Sequence, residues 1–207
     1  MTLSNDLWSE SIELANSSYL SRFIVGIKNG DLPLENFKNY IAQDAFFLES
    51  FARAYGMAIS KTKDKNSLSI LTNLLNGVIK ELELHDSYST KLGIGLYENT
   101  INPATKAYTD FLYQTSISGE MIEIISAMTP CMRLYAWIGN KVNKENLNKN
   151  NPYQEWITTY SDISFEELAK TLEDLIDIYH QKENIQKIHF LYRQAMQMEL
   201  AFFEAYS

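Results

Sequence analysis

Cysteine, histidine, proline and glycine are all scarce in this chain. Its 207 residues include one cysteine, three histidines, four prolines and eight glycines. A lone thiol cannot close a disulfide within the chain and fits a reducing compartment, so a cytoplasmic setting is expected. So few histidines leave little material for a metal or haem centre. Basic charge is also short, with 18 Lys plus Arg against 26 Asp plus Glu and a net charge of −8. Without a basic stripe there is no electrostatic footprint for nucleic acid, so DNA and RNA are not expected as partners. No run approaches the ~18 or more apolar residues of a membrane span. The opening Met1-Thr2-Leu3-Ser4-Asn5-Asp6 has no basic stretch followed by an apolar run, so no signal peptide is expected.

What is present is apolar and aromatic: 45% of residues are hydrophobic and 13% are Phe, Trp or Tyr. That is enough for a sizeable core, and residues 1–207 are expected to form a single domain. The apolar positions recur at helical spacing. Short helices are expected over Ser4–Ser17 and Tyr19–Asn29, the second ended by Gly30. Pro33 opens a long helix to about Ser60, with Phe37, Ile41, Leu48, Phe51 and Tyr55 on one face. A second long helix, about Lys65 to Leu92, carries Leu68, Leu71, Leu75, Val78, Ile79 and Leu82 and ends at Gly93. Asn102-Pro103 caps a helix to about Thr115, and Ser118 caps another that reaches Thr129-Pro130, where the proline is expected to kink or restart it. Polar Lys144–Asn151 reads as a loop and Asn151-Pro152 starts a helix to about Tyr160. Ser164-x-x-Glu167 is a capping box for a helix to about His180, and the last helix runs from about Asn184 to Tyr206. No period-two strand pattern appears, and the class expected is all-α, packed as a bundle.

Three residues stand out chemically. Cys131 suits two roles, a small buried hydrophobe or a nucleophile. With Thr129 as N-cap and Pro130 at the first helical position, the thiol would sit in a first turn, where free N–H groups and the helix dipole favour a thiolate. An accessible thiol with a pKa below the ~8.5 of free cysteine is therefore expected. Asp44 and Glu199 each fall inside an apolar stripe, on different long helices. A carboxylate there must be partnered, neutral or facing a polar cavity. Phe47, Tyr108, Tyr135, Tyr160 and Phe202 lie on or beside inward stripes. An aromatic box between two acids is a container for a flat, basic heterocycle, although aromatic stripes also serve simply as core. Glu81 and His85, four residues apart, could contribute to a metal site, but no matching Glu-x-x-His repeat exists and a structural pair is the simpler expectation. His180 and His189 are expected near helix ends at the surface.

The order of these residues resembles the TenA family of thiaminase II-like aminopyrimidine hydrolases. The resemblance is carried by Tyr40-Ile41-Ala42-Gln43-Asp44-Ala45-Phe46-Phe47-Leu48, then Glu83-Leu84-His85, then Pro103-x4-Tyr108-Thr109. It continues through Ala127-Met128-Thr129-Pro130-Cys131-x3-Tyr135-x3-Gly139, Tyr153-x2-Trp156-Ile157-x2-Tyr160 and Glu199-x2-Phe202-Phe203. It implies a haem-oxygenase-like helical bundle, usually a homotetramer, that needs no cofactor. The implied reaction converts 4-amino-5-aminomethyl-2-methylpyrimidine to the 5-hydroxymethyl compound and ammonia, in salvage of the thiamin pyrimidine. Many members also cleave thiamin.

By the same resemblance Cys131 matches the nucleophile, Asp44 the acid on the aminopyrimidine edge and Glu199 the general acid/base. Tyr108 and Tyr160 match pocket hydroxyls, Phe47 and Phe202 match ring-stacking walls, and Tyr135 lies one turn beyond Cys131. Position 47 is often tyrosine in the family, and Ser21-Arg22-Phe23 stands where relatives often have His-Pro-Phe. The missing histidine argues against haem. Two other functions remain open on sequence: a pyrimidine-binding or regulatory helical protein without turnover, and a redox enzyme of the same fold.

Overall fold

A computed structural model of the chain describes residues 2–95, 100–145 and 150–207, apart from the side chains of 84–88, 91 and 92. The described residues form ten helices and no strand: α1 Leu3–Glu10, α2 Ile12–Tyr19, α3 Arg22–Asn29, α4 Leu34–Ser60, α5 Lys65–Leu92, α6 Pro103–Ser118, α7 Met121–Glu145, α8 Gln154–Ser161, α9 Ile163–Tyr179 and α10 Ile185–Ala205. Local chemistry sets most of the ends. Asp64 accepts from the Asn66 and Ser67 N–H groups at 3.0 and 2.9 Å and so starts α5. Asn102 caps α6 through the Ala104 N–H at 2.9 Å, with Pro103 in the first turn. Gly30 and Gly93 follow α3 and α5 in the left-handed region, at φ 78° and 64°.

Where the boundaries differ from expectation, a side chain or the packing decides. The first expected helix is two, because the chain turns at Ser11, whose N–H bonds to Trp8. The second begins only at Arg22, where the Ser21 hydroxyl accepts from Ile24 N–H. Ser118 ends α6 and does not cap α7; its hydroxyl bonds back to the Gln114 carbonyl. The Lys61 ammonium collects the carbonyls of Ser116, Ile117 and Gly119 at this helix end, at 2.6 to 3.1 Å. Asp162, two residues before the expected Ser164, caps α9 by accepting from Ser164 N–H at 2.8 Å. Of the expected loop Lys144–Asn151, residues 146–149 lie outside the described residues, and α7 extends to Glu145.

The helix α7 runs unbroken through Pro130, so the expected restart does not occur. It is buried on nearly every side, packing on α4, α8, α9 and α10. A helix apolar all round is an internal one, and its packing outweighs the single ladder hydrogen bond that proline removes. Thr129, expected as an N-cap, instead donates its hydroxyl to the Ile125 carbonyl at 2.7 Å, and Ser126 does the same to Ile122. Ile124, Ile125, Met128, Leu134 and Ile138 are all at most 1% exposed, each burial contributing roughly 1.5–3 kcal/mol. Arg133 ties α7 to α9 through Glu173 at 2.7 and 2.8 Å and Glu166 at 2.6 Å.

One glycine sets the distance between α7 and α8. A Cβ on Gly139 would stand 2.4 Å from the carbonyl carbon and oxygen of Tyr160. Only a bare Cα lets the α8 backbone come this close, and this contact fixes where the Tyr160 ring points. Gly139→Ala is expected to lower the melting temperature by roughly 2–12 °C, the overpacking cost of ~1–3 kcal/mol spread over a chain of this size. Thermal melts followed by circular dichroism check it.

Candidate active site

A cavity of about 200 Å³ opens between α4, α5, α7, α8 and α9. The long helix α4 supplies Asp44, Phe47, Leu48, Phe51 and Tyr55, spaced three or four residues apart on one stripe. From α5 come Leu74, Gly77, Val78, Lys80 and Glu81; α7 gives Cys131, Met132 and Tyr135, and α8 gives Thr159 and Tyr160. Phe165 and Leu168 of α9 complete the lining.

The structure therefore brings Asp44, Phe47, Cys131, Tyr135 and Tyr160 to one wall-to-wall space. Glu199, Tyr108 and Phe202 lie behind that lining. Glu199, 1% exposed, accepts a hydrogen bond from the Tyr108 hydroxyl at 2.7 Å. Phe202 backs the cavity and does not wall it: its ring packs against Phe47 at 6.2 Å and edge-on against Tyr40 at 5.8 Å. Phe47 meets Tyr108 at 4.7 Å, and Tyr135 meets Tyr160 edge-on at 4.8 Å. A second polar chain supports the tyrosines. Trp156 Nε1 donates to the Tyr40 hydroxyl at 3.3 Å, which in turn donates to the Tyr135 hydroxyl at 3.3 Å. Burial raises Tyr40, Tyr108, Tyr135 and Tyr160 well above the usual phenol range, so they act as neutral hydrogen-bonding groups.

The acid–base character of the centre follows from burial and from three carboxylates. Burial pushes Glu199 up to about 8, with Asp44 adding to the rise and hydrogen bonds from Tyr108 and Cys131 opposing it. Asp44 is 5% exposed and near enough for its charge to act on Glu199, Cys131, Tyr135 and Tyr160. The half-buried Cys131 is corrected from the expected low-pKa thiol. Burial, then the charges of Glu199, Asp44 and Glu81, raise it well above the usual thiol range. The cause is positional: Cys131 lies deep within a continuous α7, beyond the first turn where the helix dipole acts. At rest it is a neutral thiol.

Glu81 and Tyr55 line the cavity and Tyr40 stands behind it, donating to Tyr135, places that the sequence pattern did not assign to them. Glu81 was paired with His85, whose side chain lies outside the described residues; among the described residues Glu81 accepts from the Tyr160 hydroxyl at 3.4 Å. The detectable signal was its spacing of seven and three residues from the buried Leu74 and Val78. Leu68 and Ile79, assigned to the same inward face, are 42% and 44% exposed, whereas Leu71 and Val78 of that face are buried, so the face was drawn too wide. His180 bonds to the Ile176 carbonyl and His189 to Glu10, and neither lines the cavity. Among the described residues no group of three His, Cys, Asp or Glu is arranged to hold a metal, and no helix is long and apolar enough to cross a membrane. The arrangement presents a soft nucleophile, a neutral buried acid and an aromatic clamp, a set suited to addition chemistry on a flat heterocycle.

The chain is similar to known proteins over most of its length. The chain is 33% identical to the bifunctional TH2 protein, mitochondrial, of Arabidopsis thaliana over 98% of its own length, and spans 37% of the length of that relative. It is 30% identical to the aminopyrimidine aminohydrolase of Halalkalibacterium halodurans, with 86% of this chain and 81% of that one covered. Identity to the Bacillus subtilis aminopyrimidine aminohydrolase is also 30%, over 77% and 69%. The solved TenA homologue from P. horikoshii superposes with a TM-score of 0.92 at 25% identity, covering 100% of this chain and 98% of that one. Heme oxygenase-1 from the cyanobacterium Synechocystis superposes at 0.64 with 14% identity, covering 99% and 92%, and shares the fold alone. The all-α, haem-oxygenase-like bundle expected from sequence is the fold of this chain. Residues 10–207 match the TENA/THI-4/PQQC family, and the chain belongs to it.

Proposed function

We propose that this protein is an aminopyrimidine aminohydrolase of the thiaminase II type, acting in salvage of the thiamin pyrimidine. It converts 4-amino-5-aminomethyl-2-methylpyrimidine to the 5-hydroxymethyl compound and ammonia, and accepts thiamin as a second substrate. The observation that supports this is Cys131 and Asp44 lining one aromatic cavity with Glu199 behind that lining and hydrogen-bonded to Cys131, in a chain 30% identical to two aminopyrimidine aminohydrolases.

In the proposed mechanism Asp44 holds the amino edge of the pyrimidine, while Phe47, Tyr135 and Tyr160 fix the ring plane. Sγ of Cys131 adds to a ring carbon, and the thiol proton passes to the ring nitrogen that gains the electron pair. Addition breaks aromaticity, so the substituent on the 5-methylene departs. The amine, bound as its ammonium, departs as ammonia and then takes a proton from Glu199, which its burial keeps protonated near neutrality. Water then adds to the methylene and yields a proton to the Glu199 carboxylate; the carbon–sulfur bond breaks, the ring nitrogen returns its proton to the sulfur, and the ring regains aromaticity as the Cys131 thiol is restored. Tyr108 orients Glu199, and Phe202 supports Phe47 from behind. No cofactor enters this sequence.

We further propose that the 1–207 chain acts as one domain in the cytoplasm as a homotetramer. A mass in solution near four times 23.9 kDa, measured by sedimentation or light scattering, is expected.

Purified protein is expected to release ammonia from the aminomethylpyrimidine, and Cys131→Ala to lower the rate by on the order of 10³ or more. Undiminished turnover in that variant would remove the nucleophile; tight pyrimidine binding with no turnover in the parent would favour a binding protein instead.

The acid role of Glu199 also gives a pH profile. Its proton is present below about 8 and lost above, so kcat/KM is expected to fall on the alkaline side with an apparent pKa near 8. Glu199→Gln is expected to lose that limb together with most of the rate. Because the folded-state value lies above the ordinary carboxyl value, the stability tied to this group is fully present below about 4.5 and is lost as pH rises through about 8. Melts of wild type and Glu199→Gln across this range are expected to converge or cross as the pH rises.

A further inference from the structure

Glu81 is a third carboxylate at the cavity, and the mechanism above leaves it without a task. It projects from α5 on the same face as Leu74, Gly77 and Val78, and Tyr160 donates to its Oε1 at 3.4 Å. Its charge acts on Cys131, Tyr55 and Tyr160, which places it within electrostatic reach of the reacting centre. Asp44 and Glu199 are buried at 5% and 1% exposure, whereas Glu81 is half-buried beside the exposed Lys80. Glu81 is thus the more solvent-accessible of the two carboxylates that line the cavity, Asp44 being the buried one. Lys80 is the sole cationic side chain among the described lining residues.

The proposed reaction divides the substrate into a ring that stays deep and a substituent that leaves. Both substrates carry positive charge on that substituent, an ammonium in the aminomethylpyrimidine at neutral pH and a thiazolium in thiamin. The hydroxymethyl product is neutral there. We propose that Glu81 is a specificity-determining carboxylate that contacts the cationic leaving substituent, so that the site holds charged substrates in preference to the neutral product. The inference rests on the aminohydrolase function proposed above. A half-buried carboxylate facing a cation keeps more Coulomb energy than an exposed pair and avoids the desolvation cost of a fully buried one.

The test is calorimetric and uses Cys131→Ala as the parent, so that no ligand is turned over. Dissociation constants are measured for thiamin, the aminomethylpyrimidine and the hydroxymethylpyrimidine in the parent, in Glu81→Gln and in Glu81→Asp. Glutamine keeps the size and the acceptor for Tyr160 and removes only the charge. The parent is expected to prefer the two cations, and Glu81→Gln to weaken both about tenfold while hydroxymethylpyrimidine binding changes less than about twofold. Glu81→Asp, which keeps the charge, is expected to hold the cation preference to within about threefold. Equal losses for all three ligands would overturn the proposal and make Glu81 a support for Tyr160. No loss in Glu81→Gln, or a preference that collapses in Glu81→Asp, would overturn it as well. A parent that binds none of the three pyrimidines would overturn the aminohydrolase function, and this inference with it.

Discussion

A carboxylic acid buried in an aromatic core has to be neutral, hydrogen-bonded or both, and the site is built around that constraint at Glu199. The Tyr108 hydroxyl on α6 satisfies one oxygen, Cys131 on α7 hydrogen-bonds to the group, and burial keeps it protonated with the charge of Asp44 on α4 adding to the effect. Three helices that share no sequence neighbourhood are thereby held to one point. Removing a partner would leave a buried polar group unsatisfied, at ~1–3 kcal/mol, so the same contacts that tune the acid also lock the helix packing. Stability and chemistry here are two results of one desolvated cluster.

The identity of this cluster was legible in the sequence because α4 and α10 carry their acids in phase with strong apolar stripes. Asp44 sits between Ile41 and Phe47, and Glu199 between Met196 and Phe202, all buried. The inward face of α5 was drawn too wide, although Leu71 and Val78 on it are buried. Leu68 and Ile79 are apolar yet 42% and 44% exposed, whereas Leu74 and Glu81 face the cavity. Apolar residues on a surface are ordinary, and only the packing partner tells which of two overlapping stripes is inward. Glu81 was set beside His85 by their four-residue spacing, whereas its bond to Tyr160 joins two helices distant in sequence and has no periodic signal. Phe202 illustrates the complementary limit, since a residue can be fully inward and still stand one layer behind a cavity.

Pro130 shows how tertiary packing can overrule a local rule. Taken by itself, Thr129-Pro130 is a good helix start, and it would have given Cys131 the field of free N–H groups. In the fold, α7 packs against six other helices, and breaking it would expose or misalign apolar side chains along a 25-residue element. One lost ladder bond costs about 3 kcal/mol, less than the burial of two or three such side chains. The helix therefore continues, and the thiol loses the dipole that would have ionised it.

A neutral thiol changes what activation has to mean. With burial first, and then Glu199, Asp44 and Glu81, raising its pKa, Cys131 at rest is a poor nucleophile and a poor target for adventitious oxidation, because the thiolate is the reactive form. A bound pyrimidine changes the balance in two ways. It displaces water from an already apolar site, and its ring nitrogen offers a destination for the thiol proton at the moment the carbon–sulfur bond forms. Positive charge on the ligand offsets part of the carboxylate field that otherwise opposes loss of that proton. Under the proposed mechanism the acidic surround is therefore compatible with a cysteine nucleophile: the charge that holds the thiol neutral at rest is the charge a cationic substrate partly cancels.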